Sequence, residues 1–253
     1  MEFTNIYNLP YEIAEFLKLD FYDYPEGINA SALIDPPRIY YLRERHKDEI
    51  KIDISDRLWM VWGQAVHEAL AKTPLKNCIQ EHRIFVDVNG IKISGKFDVF
   101  RLNKKILTDY KTTSVWTVIK QSRINEWKLQ VNIYRWLLVQ HGYDVDKLRI
   151  IALLRDWHKY ESIKKRAYNE KYPIIPIVVI DLDMMDLNEV EEYVRRRAAL
   201  FKLCEPLGDD ELPVCSPKER WYNEITNTNK RCLYYCDVKE FCNFYKQIIK
   251  KEG

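Results

Sequence analysis

Long apolar runs are what this chain of 253 residues most clearly lacks. The longest strongly apolar stretch, Ile174–Ile180, falls far short of the roughly 20 residues a membrane-crossing helix needs. Glu12, Glu15, Lys18 and Asp20 interrupt the N-terminal segment, so no secretory leader is expected there. Glycine (7 residues) and proline (10) are scarce, with no low-complexity stretch and no internal repeat, which argues against wholesale disorder. An excess of one charge is missing too: 40 Lys and Arg face 38 Asp and Glu. A net +2 neither demands nor excludes nucleic acid, for which clustered charge matters. The basic runs Lys159–Arg166 and Lys246–Lys251 read first as solvated faces and second as DNA contacts. The expectation is a soluble, cytoplasmic protein with no membrane partner. In that compartment thiols stay reduced, so six cysteines point to metal or an iron–sulfur cluster rather than disulfides.

What is present is an ordinary globular balance, 47% hydrophobic and 31% charged, on a length that suits one core with a small appendage. Residues 1–30 are aromatic and acidic (Tyr7, Tyr11, Phe16, Phe21, Tyr22, Tyr24) and are expected to form a packed arm. Ser31 can cap a short helix that Pro36 and Pro37 end or restart. Arg38–Lys47 reads as a helix. Asp56 is expected to cap another from Arg57 to Lys72, with Leu58, Val61, Trp62, Ala65, Val66, Ala69 and Leu70 at helical spacing. The period then changes to two. Ile79–Val88 alternates, Asn89-Gly90 is a hairpin turn, and Ile91–Phe100 returns. A turn at Leu102–Lys104 leads to a third strand, Lys105–Lys111. A helical region over Ser114–His141, broken near Ile124-Asn125, precedes strands at Leu148–Leu154 and Ile174–Leu182 and a helix at Leu187–Leu203. The order implies an α/β fold with a central mixed sheet flanked by helices. The expected division is an arm (1–30), a core (31–205) and a cysteine-rich subdomain (206–253).

Chemistry concentrates on the second and third strands of the meander. Side chains alternate along a strand, so Asp109 and Lys111 share a face. Alone they would be a plain surface ion pair. Asp98, on the neighbouring strand, changes the reading, because the short turn lets it converge with Asp109. Two carboxylates can hold Mg²⁺ or Mn²⁺, which prefer hard oxygen ligands, and the backbone carbonyl of Tyr110 is a further candidate ligand. Such an ion neutralises a scissile phosphate and acidifies a bound water, and Lys111 would stabilise developing charge. Gln130 and Tyr134, four apart on one helix face, would contact phosphate or hold Lys111. His67, on the earlier helix, would reach the metal or a phosphate oxygen; a satisfied core or surface histidine is the bland alternative. Glu68 and Glu81 read as solvated carboxylates or as residues beside the metal.

The ordered set Gly63…His67, Gly95…Asp98, Asp109-Tyr110-Lys111 and Gln130…Tyr134 resembles the RecB-type branch of the PD-(D/E)XK nuclease superfamily, to which lambda exonuclease is more distantly related. The resemblance spans residues 31–242 and implies a restriction-endonuclease-like core. It implies that Asp98 and Asp109 bind metal, Lys111 is the catalytic lysine, His67 assists at the metal, and Gln130 and Tyr134 support the site or the DNA. The implied activity is a Mg²⁺- or Mn²⁺-dependent deoxyribonuclease, an exonuclease processing ends or single strands in recombination, repair or phage replication. The setting would be a bacterial or phage-infected cell. DNA is the implied partner, with a recombinase, helicase or single-strand-binding protein alongside. The alternative is a catalytically silent nucleic-acid-binding module, or a recombination-complex partner, of the same fold.

Cys215, Cys232, Cys236 and Cys242 can hold Zn²⁺ or a [4Fe–4S] cluster, or stand as free structural cysteines; the tail has little core of its own, and a bound metal would supply the missing stability. In the family the resemblance points to, a cluster takes one leading and three trailing cysteines. Here Cys232, Cys236 and Cys242 match the trailing three. The leading position reads Leu33-Ile34-Asp35-Pro36-Pro37, so Cys215 would substitute. Cys78 and Cys204 are expected as buried spares. Trp59, Trp62, Trp127 and Trp136 are expected in the core. Trp221, Tyr222, Tyr234 and Tyr235 should pack around the cysteines, and Arg38, Arg43 and Arg45 are candidates to face a DNA end or 5′-phosphate.

Overall fold

The computed structural model describes residues 2–19, 26–167 and 171–252. Phe21, Tyr22 and Tyr24 of the expected arm lie outside them, as do the side chains of Arg166 and Lys251. The elements run β1 (Glu2–Thr4), α1 (Tyr11–Lys18), β2 (Ile28–Asn29), α2 (Ala30–Ile34), α3 (Pro37–Arg45), β3 (Lys51–Asp53), α4 (Leu58–Ala71), β4 (Cys78–Val88) and β5 (Ile91–Arg101). They continue β6 (Ile106–Thr113), α5 (Val115–Ile119), α6 (Ile124–Gln140), β7 (Lys147–Leu154), α7 (Lys159–Ala167), β8 (Ile177–Leu182), α8 (Leu187–Cys204), β9 (Tyr222–Asn223), β10 (Thr228–Asn229), α9 (Lys230–Tyr234) and α10 (Asn243–Glu252). The chain is thus of the α/β class, with a mixed central sheet flanked by helices. Among the described residues no helix is long and apolar enough to cross a membrane.

Two compact units divide the chain. The first gathers residues 1–20, 31–61 and 195–253; the second gathers 21–30 and 62–194. These boundaries differ from the linear division drawn from composition, because the cysteine-rich tail packs with α3 of the N-terminal part. A core of Ile39, Leu42, Ile50, Cys204, Leu212 and Val238 joins them. In the same unit β1 pairs in parallel with β3, and Ala14, Leu17 and Ile54 make a smaller cluster. The expected arm is only partly packed: Tyr7 and Tyr11 are exposed. The cap before α4 also differs. Asp53, not Asp56, accepts the Ser55 N–H and opens a 3-10 turn at Ile54–Arg57 that leads into the helix.

The second unit holds the sheet. β4 and β5 form a hairpin through Asn89-Gly90, both at positive φ, as the turn requires. β6 pairs antiparallel with β5 only over Val99–Arg101 and then runs parallel to β7, whose far edge carries antiparallel β8. On the edge of β5 that faces β6, β2 pairs in parallel at Ile93 and Ser94. Residues 95–98 of that edge are left without a strand partner, because β5 and β6 splay. Strand β7 alternates strictly, with Leu148, Ile150 and Ala152 fully buried. Helix α6 lies against β4, β5, β6 and β7, and its Trp127, Val131, Ile133 and Leu137 are buried. Each such aliphatic side chain contributes about 1.5–3 kcal/mol by leaving water. Gly95 makes this packing possible: a Cβ there would sit 2.6 Å from Leu137 Cδ1 and 2.7 Å from Tyr134 Cδ1.

Candidate active site

The gap between β5 and β6 is where the expected residues meet. Asp98 is buried at its edge, and its Oδ2 accepts a short hydrogen bond from the Tyr110 backbone N–H. The carboxylate thereby replaces a ladder bond that the splayed strands no longer make. Its other oxygen, Oδ1, lies 3.2 Å from His67 Nδ1. Helix α4 brings His67 in because Gly63, one turn earlier, rests on β6; a Cβ there would meet Thr112 Oγ1 at 2.9 Å. The two glycines of the sequence pattern are therefore points of close approach, one for each helix that serves the site.

Asp109 is buried on β6, and Lys111 Nζ lies 2.8 Å from its Oδ2. The contact is an ion pair at close range. The Lys111 ammonium also donates to Gln130 Oε1 at 2.9 Å, and Gln130 Nε2 donates to the Tyr134 hydroxyl at 2.9 Å. Of the two uses considered for Gln130, holding Lys111 is the one whose geometry is present. Burial pushes the Asp109 carboxyl above the usual carboxylate range; Lys111 opposes the shift, and the nearby Asp98 charge adds to it. At His67 burial works against the charged form, but the Asp98 hydrogen bond and charge outweigh it and the imidazole pKa rises.

Glu81, whose residue type alone reads first as a solvated carboxylate, also joins the site. Ligand atoms of His67, Glu81 and Asp98 all lie within 4.8 Å of one another, a spacing that suits one cation. Glu81 stands opposite Asp98 in the hairpin, but their pairing is interrupted, and Glu81 has φ 48° in mid-strand. Its carboxylate also pairs with Lys96 at 2.8 Å. A left-handed non-glycine residue beside two potential ligands was the missed signal, and it is a backbone signal that residue types do not carry. Asp109 stands outside this three-residue group and beside Lys111. Glu68 is not in the group either.

In the first unit the four cysteines Cys215, Cys232, Cys236 and Cys242 line one pocket together with Arg38, Arg220 and Arg231. Burial pushes the Cys215 thiol up to about 12 and the Cys236 thiol up to about 11, and raises Cys232 as well. Arg38 Nε donates to Cys242 Sγ at 3.3 Å, while Arg220 Nε is buried with no hydrogen-bond partner. The pocket thus offers four sulfurs and surplus positive charge, which fits a thiolate-bound metal group.

Several expectations need correction. Arg38 is 1% exposed and bonds Leu212 O and Asn243 Oδ1; Arg43 forms a fork on Asp237 at 2.6 and 2.8 Å; Arg45 pairs with Asp209 at 2.8 Å. They brace the tail rather than offering themselves to a phosphate. Trp127 and Trp136 are core, but Trp59 and Trp62 are about half exposed. Trp221, Tyr222, Tyr234 and Tyr235 are exposed and do not line the cysteine pocket. Cys204 is buried and Cys78 only partly.

No protein-family model and no curated protein matches the chain. Among solved structures it is similar to the crystal structure of SSO0001, with 19% identity and a TM-score of 0.57 over 91% of this chain and 94% of that one. That likeness is one of fold. It is more loosely similar to the crystal structure of a phage-related exonuclease from Haemophilus somnus 129PT, with 12% identity and a TM-score of 0.32 over 96% and 82% of the two chains. A likeness so loose carries no argument about activity.

Proposed function

We propose that this chain is a metal-dependent DNA nuclease of the PD-(D/E)XK type, close to the RecB branch, that hydrolyses phosphodiesters at DNA ends or in single strands. One observation carries the reading: Asp98, Asp109 and Lys111 meet in the gap between β5 and β6, with His67 and Glu81 beside them. A plain surface ion pair has no need of two buried acids. Asp98, Glu81 and His67 would hold Mg²⁺ or Mn²⁺, with Asp109 and the Tyr110 carbonyl as further ligands. The imidazole makes Mn²⁺ the better fit of the two. Bound there, the ion supplies phosphate neutralisation and an acidified water.

The chain's own residues do the rest. Gln130 fixes the Lys111 ammonium, and Tyr134 fixes Gln130, so a positive charge is in place before charge develops on phosphate oxygens. Lys111 also keeps the buried Asp109 carboxyl from rising further. The cysteine pocket would hold a [4Fe–4S] cluster, with zinc as the alternative. The test of the enzyme reading is degradation of end-labelled linear DNA with Mg²⁺ or Mn²⁺. Asp98→Ala, Asp109→Ala and Lys111→Ala should each lower the rate at least about 100-fold. Undiminished degradation by Asp109→Ala or Lys111→Ala overturns it.

A further inference from the structure

The basic run on α7 has no part in the site described so far, and it lies in the same unit as the site. Next to it stands Trp116, an exposed tryptophan on α5. The Lys165 ammonium sits 4.9 Å from the Trp116 ring centroid and the Lys120 ammonium 6.0 Å from it. Cations at these distances engage the electron-rich face of an indole, which is also the surface on which a nucleic-acid base stacks.

The platform is built, not loose. Ser114 caps α5, its Oγ accepting from Trp116 N, and Asp156 takes both the Ser114 hydroxyl (2.6 Å) and the Val115 N–H (2.7 Å). These bonds fix the start of α5 to the end of β7. On the other side α7 is anchored by Ser162 Oγ on the Ile174 carbonyl and by His158 N–H on the Tyr172 hydroxyl, and Lys165 also lies over the Tyr172 ring at 5.7 Å. Lys159 and Lys164 are exposed on α7 itself, while the Asp156 carboxylate is used up internally. An aromatic face flanked by two ammonium groups matches a ligand with flat bases and a negative backbone. An unpaired strand offers its base faces; a duplex buries them in its own stack.

Position supplies the last step. Trp116 follows Lys111 by five residues, so at most about 18 Å of chain separates them. That is a span of a few nucleotides.

We propose that Trp116, flanked by Lys120 and Lys165, is a stacking site for an unpaired base, and that it selects single-stranded DNA a few nucleotides from the reacting phosphate. The relation to a reacting phosphate rests on the nuclease reading above; the stacking site itself does not. The test is binding of fluorescent oligo-dT and of a blunt duplex by the full chain in EDTA, with fluorescence anisotropy as readout. Trp116→Ala should bind oligo-dT about ten-fold more weakly, within the range for one stacked base, and Trp116→Phe should regain most of the loss. Duplex binding should change less than three-fold. An oligo-dT scanned with a single abasic position should lose affinity at one place with the parent protein and at none with Trp116→Ala, a pattern that general unfolding cannot mimic. If Trp116→Ala binds oligo-dT as the parent does, or the abasic scan is flat with the parent, the proposal is overturned. Loss of cleavage in Asp109→Ala with the oligo-dT result unchanged leaves both readings standing. Cleavage that survives Asp109→Ala removes the nuclease reading without touching this one.

Discussion

Glu81 stands in the left-handed region at φ 48° in the middle of β4, where an L-residue costs about 1–2 kcal/mol. The strain persists where the side chain joins His67 and Asp98, the pattern expected when a site rather than the fold dictates conformation. Glu81→Gly should therefore melt no lower than the parent, yet need about ten-fold more Mn²⁺ for half-maximal cleavage. A metal titration in the cleavage assay checks this, and an unchanged Mn²⁺ requirement counts against the three-residue group. Gly95→Ala tests the packing instead. A methyl 2.6 Å from Leu137 and 2.7 Å from Tyr134 has to displace α6, at about 1–3 kcal/mol in denaturant unfolding, and should disturb the Tyr134–Gln130–Lys111 chain with it. At this scale the sequence is informative about proximity and silent about exposure. That Asp98, Asp109 and Lys111 converge is legible from residue type and strand period. The exposure of Trp59 and Trp62 is not, because a helical apolar stripe does not say what, if anything, covers it.

Helix α3 shows what an element does when its charges turn inward. Arg38 reaches from it to the Leu212 carbonyl, Asn243 and Cys242, so Arg38→Ala leaves a buried carbonyl without its donor and should cost about 3 kcal/mol of stability. Chemical denaturation followed in the first unit measures that loss, and a cost under about 0.5 kcal/mol would show the arginine to be expendable. Just past the helix, His46 lies between Asp209 (2.6 Å) and Glu49 (2.7 Å) with its ring stacked on Phe241. The two carboxylates raise its pKa above the ordinary 6.5. A raised histidine contributes fully below its unfolded value and loses the contribution as pH climbs through the folded one. The melting-temperature gap between parent and His46→Gln should accordingly be widest near pH 6 and close as pH rises above the folded value; a gap that widens with pH contradicts the pairing. The helix itself was readable from Arg38–Lys47, and the hairpin from Asn89-Gly90. Helix α7 and the β1–β3 pairing were not: the first looks like a charge run, and the second joins segments distant in sequence.

Taken whole, the chain folds as two units that interleave along the sequence, which a linear reading of composition has no means of detecting. The order of helix, three-strand meander, helix and strand was legible because each period is local. The splaying of β5 from β6 was not, since it arises from how β2, β6 and β7 share the sheet. Protein purified without oxygen should carry iron close to stoichiometry with broad visible absorption, and Cys232→Ser should lose both; colourless, zinc-loaded protein would assign the pocket to the other metal. The central claim concerns the second unit, and a time course on 5′-labelled linear DNA with 5 mM-scale Mn²⁺, comparing parent with Lys111→Ala, addresses it most directly (the concentration being of the order that weakly held divalent ions require). Steady loss of label from the parent and a rate at least about 100-fold lower in the variant is the predicted result. Equal rates in the two proteins, or no cleavage by the parent with either Mn²⁺ or Mg²⁺, would contradict it.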